Sequence, residues 1–128
     1  MHPLEAVRAL VTVETVTSLT PIENADFIAV AKVRGWSLVV KKDEVAVGDA
    51  VVYFEIDSHL PLSDPRFAFL EPRGAKTFNG VHGHVLKSAR MRGTYSQGLA
   101  IPASLFPELD TLADGEDLAT VLGVTKYE

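Results

Sequence analysis

The densest run of chemically capable side chains is Lys87-Ser88-Ala89-Arg90-Met91-Arg92-Gly93-Thr94-Tyr95-Ser96-Gln97-Gly98-Leu99. It gathers three cations, an aromatic ring and, at Ser96 and Gln97, two adjacent hydrogen-bonding side chains. Alternation along a strand puts Arg90 and Arg92 on one face, with Ser88. A guanidinium presents a planar fork that suits phosphate oxygens. Tyr95 can stack on a base or sugar, and Ser96 and Gln97 can reach polar edges. That is the chemistry of phosphate contact. The same residues also suit a strand pair whose glycines allow a bulge and whose arginines pair with acids. Residue type alone leaves both readings open.

Bond-making chemistry finds less support. Gly93-Thr94-Tyr95-Ser96-Gln97-Gly98 has the wrong spacing for a G-x-S-x-G nucleophile elbow and leads into a strand rather than a helix. His82 and His84 would face one side of a strand, but no third ligand stands at a recognisable spacing. They read as polar residues at the end of a loop. There is no Walker loop or dinucleotide fingerprint. Asp43-Glu44 and the acids at 114–117 fall at a turn and a helix start, positions that account for them without catalysis. The absence of cysteine removes disulfides, thiolate metal sites and thiol nucleophiles.

The elements that must position the basic run are short strands separated by turns. Val7, Ala9, Val11 and Val13 alternate with Arg8, Leu10 and Thr12, as in a half-buried strand. Pro21 to Asp26 reads as a turn. Strands follow at 27–33 and 36–41, joined by a tight turn at Arg34-Gly35. Val47-Gly48-Asp49 turns the chain into a strand at 51–56. Residues 57–83 hold prolines and glycines without a sustained period, and form a long connection with a helical turn around Phe67-Ala68-Phe69-Leu70. Strands resume at 84–91 and 95–101. A helical turn at 102–106 precedes a helix over about 115–122. Asp114 caps that helix, Glu116 and Asp117 suit its positive end, Leu118, Val121 and Leu122 share a face, and Gly123 ends it. Five or six strands with one long insertion predict an all-β, OB-fold-like Greek-key barrel with a short C-terminal helix. Residues 1–128 read as a single module.

Composition bounds the partners. The 128 residues are 47% apolar, enough for a core. No apolar run is long enough to span a bilayer, and acids in the first thirty residues argue against a signal peptide. The expectation is a soluble, cytoplasmic protein with no membrane partner. The net charge of −5 conceals an asymmetry: residues 66–107 sum to +5 and the remainder to −10. A single positive face is sufficient to meet a polyanion.

Several further stretches occur together and in order. Leu19-Thr20-Pro21-Ile22-Glu23-Asn24-Ala25-Asp26-Phe27-Ile28 runs on through Ala31-Lys32-Val33-Arg34-Gly35-Trp36 and Val39-Val40-Lys41-Lys42. Val47-Gly48-Asp49 and Val51-Val52-Tyr53-Phe54-Glu55-Ile56-Asp57-Ser58 follow, then Met91-Arg92-Gly93 and Ser96-Gln97-Gly98-Leu99, with Leu122-Gly123-Val124-Thr125-Lys126-Tyr127-Glu128 at the end. This pattern resembles the N-terminal OB module of the ATP-dependent RNA ligases related to the Deinococcus enzyme. The likeness is weakest over 63–83. It implies a nick-sealing protein that moves AMP from ATP to a lysine, then to an RNA 5′-phosphate, and closes the bond with a 3′-OH. It implies ATP and Mg2+ for a longer parent enzyme, and a C-terminal nucleotidyltransferase domain as partner in the same chain. Lys76-Thr77-Phe78-Asn79-Gly80 does not match the family's Lys-x-Asp-Gly motif, so this chain is expected to bind no cofactor and to be inactive alone.

The resemblance ranks Arg90 and Arg92 first for phosphate, with Lys87 adding to their field and Lys41 and Lys42 second. It makes Trp36 and Tyr95 stacking candidates, although a lone tryptophan in a small barrel also suits the core. Ser96, Gln97 and Gly98 fit either a contact or a turn that the fold requires. The Pro-x-x-x-Ala-Asp-x-Ile and Met-Arg-Gly-x-x-Ser-x-Gly strings are also similar to tRNA-binding OB domains of aminoacyl-tRNA synthetases, which is the alternative. A protein-interaction barrel without nucleic acid is a third.

Overall fold

The computed structural model describes residues 10–23, 25–91, 94–111 and 117–127. Eleven strands are assigned among them: β1 (Val11–Pro21), β2 (Ile28–Val33), β3 (Trp36–Lys41), β4 (Ala50–Phe54), β5 (Ser58–Pro61), β6 (Lys76–Phe78), β7 (Val81–Val85), β8 (Ala89–Met91), β9 (Thr94–Ser96), β10 (Leu99–Pro102) and β11 (Thr125–Lys126). Among the described residues one short helix, α1, spans Leu118–Leu122, and 3₁₀ turns cover Ala68–Arg73, Ala103–Leu105 and Pro107–Thr111.

Five antiparallel strands in the order β10-β4-β1-β2-β3 form the barrel sheet. β1 is long enough to serve two partners. Its first half pairs with β4, and from Val16 onward it pairs with β2, with a register shift between Val16 and Ser18. Such a bulge bends a strand, which lets one strand belong to both sides of a curled sheet. The β2–β3 hairpin turns at Arg34 and Gly35, both with positive φ (54° and 80°), the geometry that matches strand twist.

The sheet's two edges approach each other through β9. The Val39 N–H of β3 donates to Ser96 Oγ at 2.9 Å, and the Gln97 N–H donates to the Ser37 carbonyl at 2.9 Å. From inside, the Tyr53 hydroxyl donates to the Gln97 carbonyl at 2.8 Å. A side-chain hydroxyl thus stands where a ladder carbonyl would. Gly98 follows at φ 106°, and a Cβ there would lie 2.6 Å from the Phe54 carbonyl oxygen and 2.8 Å from the Tyr53 ring, so only glycine fits.

Two apolar clusters share β4. Val51 and Tyr53 join Val16, Ala31, Val33, Leu38 and Val40 on one side. Val52 and Phe54 join Val11, Leu60, Phe67, Leu70, Phe106 and Leu122 on the other. The second cluster is covered by a four-stranded sheet, β11-β5-β7-β6, with the 3₁₀ turns and α1.

These elements refine the sequence reading. Segment 57–83 does leave the barrel sheet, yet it carries β5, the first 3₁₀ turn, β6 and the start of β7. Its strands are too short to display a period. The strand expected at 84–91 divides into β7 and β8, and that at 95–101 divides at Gln97-Gly98, where the chain closes the barrel. The strand at 51–56 ends at Phe54, and Asp57 adopts a positive φ. α1 ends at Gly123 in the left-handed conformation, as expected, with Asp117 at its N-cap position. Val7, Ala9, Asp114 and Glu116 lie outside the described residues.

Arg66 ties the insertion to the C-terminal segment. It forms paired hydrogen bonds to Asp64 (2.8 and 3.0 Å) and to Glu108 (2.8 and 3.0 Å), donates to the Leu105 carbonyl at 3.0 Å, and lies 4.2 Å from the Phe106 ring centroid. The Arg66 guanidinium holds both carboxyls below the usual carboxylate range, while they raise the arginine further.

Two outcomes follow from this geometry. Ser96→Ala strands the Val39 N–H against the barrel wall and should cost about 1–3 kcal/mol, read from the denaturant midpoint. Ser96→Thr, which keeps a hydroxyl, should cost less. For the clamp, both carboxyls titrate lower in the folded state, so their contribution is complete above the unfolded carboxylate pKa of roughly 4. It is lost as pH falls through their lowered folded values. The melting temperature should therefore drop on acidification below about pH 4, and Glu108→Gln should make that drop shallower. Equal slopes for the two proteins would exclude the clamp as a source of acid sensitivity.

Candidate nucleic-acid interface

β8 and β9 form a two-stranded hairpin, and Arg90 stands directly opposite Tyr95. The guanidinium carbon lies 5.6 Å from the ring centroid, within range of a cation–π contact. Tyr95 is 59% exposed, and Arg90 is exposed and makes no ion pair with a described residue. The pair presents a charged fork beside a flat ring, both facing water. Arg92 and Gly93 lie outside the described residues.

The remaining sequence candidates divide by what they touch. Lys87 Nζ is 2.7 Å from Asp57 Oδ1 and 5.9 Å from the Tyr127 ring centroid, so part of its charge is answered locally. Lys41 closes β3 and is exposed, with no ion pair to a described residue. Lys42 is exposed as well and donates to the Ala25 carbonyl at 3.3 Å. Trp36 is half-buried against the inner cluster of the barrel. Ser96 is buried and its hydroxyl accepts from Val39, while the Gln97 backbone is bonded on both sides. The structure thus brings Arg90 and Tyr95 together and sets Ser96 and Gln97 at the seam that holds their hairpin to β3. His82 and His84 reach back to the first 3₁₀ turn, at Glu71 Oε2 (3.0 Å) and the Gly74 carbonyl (2.6 Å). No group of three potential metal ligands occurs among the described residues.

Sequence reasoning passed over a cleft of about 400 Å³ between β3, β10 and two 3₁₀ turns, with Phe69, Arg73 and Leu105 on its walls. Phe67-Ala68-Phe69-Leu70 held the one available signal. Phe67 and Leu70 are fully buried, whereas Phe69 is turned out to 54% exposure. Three-residue spacing puts the first and last of these residues on one side of a tight helical turn and leaves the middle aromatic for the other.

A curled five-stranded antiparallel sheet, sealed at its edges and carrying an exposed cation–aromatic pair, defines a small β-barrel of the OB class. The family model described as the PHA02142 OB-fold domain matches residues 10–103, and the chain belongs to that family. Among solved structures, the Naegleria gruberi RNA ligase is similar over nearly the whole chain. A substituted variant of that ligase with AMP and Mn shares 41% identity, with 94% of this chain and 36% of the ligase chain covered at a TM-score of 0.85. The ligase with PPi gives 42% identity, 95% and 36% coverage, and a TM-score of 0.85. An apo variant gives 40%, 95% and 36%, and 0.86. The chain therefore spans about a third of the ligases it matches. No curated protein matches it. No helix among the described residues is long and apolar enough to cross a membrane.

Proposed function

We propose that this chain is the OB module of an ATP-dependent RNA ligase of the Deinococcus type, acting in the cytoplasm, and that it binds RNA around a nick. The observation that carries this is the 41% identity to the Naegleria ligase across 94% of the chain. The ligase structures with AMP or ATP and Mn support a nucleotide and a divalent metal for the longer protein. Only 36% of that ligase is matched, and this chain has no Lys-x-Asp-Gly string. Both observations support a lysine acceptor in a separate nucleotidyltransferase domain, with this module assisting nick recognition and adenylylation.

The module's own contribution is binding and orientation. Arg90 is free to fork onto a phosphate, and Tyr95 beside it offers a face to a sugar or base. Arg92 would extend the same field, with Lys87, Lys41 and Lys42 further out. The seam at Ser96 and Gln97 fixes the hairpin to β3, so the pair is held by the barrel rather than by a free loop. The surplus of acids elsewhere repels a polyanion, which predicts modest affinity for the module by itself.

Titrating the chain into a fluorescein-labelled nicked RNA duplex should show weak binding that falls steeply with salt. Arg90→Ala should reduce the slope of log K against log salt by about 0.9, the value for one phosphate contact. Its melting temperature should stay near that of the parent, since the side chain is exposed. Incubated with ATP and a divalent metal, the chain should acquire no covalent AMP. In the longer ligase, Arg90→Ala with Arg92→Ala should lower sealing. No duplex binding at low salt, or no change in sealing with the fold intact, would overturn the reading.

A further inference from the structure

The cleft beside β3 combines features that none of its residues shows alone. Leu99 and Ala100 of β10 form part of an apolar floor. Phe69 and Leu105 stand on its walls, 54% and 52% exposed, each from a different 3₁₀ turn. Exposed apolar side chains scattered singly are ordinary. Two large ones lining the same concavity leave an apolar surface that a flat ring would cover.

Two cations share the cleft. Lys41 at the end of β3 and Arg73 at the end of the first 3₁₀ turn are both exposed, and neither pairs with a described residue. Arg66 also lines the cleft, but its guanidinium is occupied by Asp64, Glu108 and the Leu105 carbonyl. Arg66 therefore builds the wall and leaves ligand contact to the other two. Glu44 supplies an acceptor suited to an exocyclic amine. Apolar walls, two unanswered cations and one acceptor complement a molecule with a flat ring, an amine edge and an anionic group.

We infer that this cleft is a pocket for one unpaired nucleotide of an RNA strand, its base against Phe69 and Leu105 and its phosphate on Lys41 and Arg73; this rests on the RNA-binding reading above. The volume of about 400 Å³ is within the usual range of roughly 300–1,000 Å³ for a small-ligand site. A paired base is stacked inside its duplex and cannot enter such a pocket, so the occupant is a single-stranded or unstacked residue. None of the cleft's lining residues belongs to the Arg90–Tyr95 hairpin.

The test uses the 128-residue chain and a fluorescein-labelled single-stranded RNA dodecamer, followed by anisotropy across a salt series. Phe69→Ala with Leu105→Ala should weaken binding roughly tenfold with the salt slope unchanged, since stacking carries no counterion release. Lys41→Ala with Arg73→Ala should reduce the slope by about 0.7, the single-strand value for the one phosphate they share. Phe69→Leu keeps apolar volume and loses the ring, so it should retain the parent's melting temperature and still bind more weakly. RNA carrying 5-iodouridine should photocross-link to Phe69. If the dodecamer binds and neither pair of substitutions alters it, the pocket is refuted while the RNA-binding reading stands. If neither the dodecamer nor the nicked duplex binds at low salt, that reading fails, and the pocket with it. Concentration-dependent self-association that Phe69→Ala abolishes, with RNA affinity unchanged, would mark the cleft as a chain–chain contact and overturn the assignment.

Discussion

β4 is buried on both faces, and the rest of the structure is arranged around that burial. Val51 and Tyr53 point into the barrel, whereas Val52 and Phe54 point out into a second apolar layer. Each such side chain removed from water contributes about 1.5–3 kcal/mol. An outward face as apolar as the inner one cannot be left to solvent. It is covered by the insertion, the C-terminal helix and the rings of Phe67 and Phe106, whose centroids lie 5.3 and 6.1 Å from that of Phe54. The insertion therefore supplies Leu60, Leu62, Phe67 and Leu70 to that second layer.

Tyr53 links this burial to the closure of the barrel. Its ring fills the inner cluster, its hydroxyl holds the Gln97 carbonyl, and its bulk permits only glycine at position 98. Ser96 then supplies the acceptor that Val39 requires. With the seam made by residues 96 and 97, the preceding hairpin is carried at the barrel edge, where Arg90 and Tyr95 face water.

Electrostatic pairing sorts the cations into two groups. Arg34 lies 3.8 Å from Glu14 and 3.6 Å from the buried Glu55, Arg66 is clamped by Asp64 and Glu108, and Lys87 meets Asp57. Arg90, Lys41 and Arg73 have no such partner among the described residues. The positive balance of 66–107 is thus partly spent on holding the fold. Of what remains, Arg90 stands on the hairpin, Arg73 lines the cleft and Lys76 lies 5.2 Å from the Tyr127 ring centroid; under the proposed function, electrostatic attraction to RNA would act at the first two.

The sequence by itself determined the class of fold. Alternation, turn glycines and the Arg34-Gly35 dipeptide are local signals, and each acts through its own residues' backbone preferences. It also put Arg90 and Tyr95 on successive strands, 84–91 and 95–101, and folding set them opposite each other. Only the tertiary structure decided what Ser96 and Gln97 do, since their partners, Val39, Ser37 and Tyr53, are distant in the chain. It likewise decided which cations are free, because pairing depends on acids brought close by folding. The strands of 57–83 escaped reading for the same reason. They are three to five residues long, and their register comes from neighbours across the sheet rather than from any period of their own.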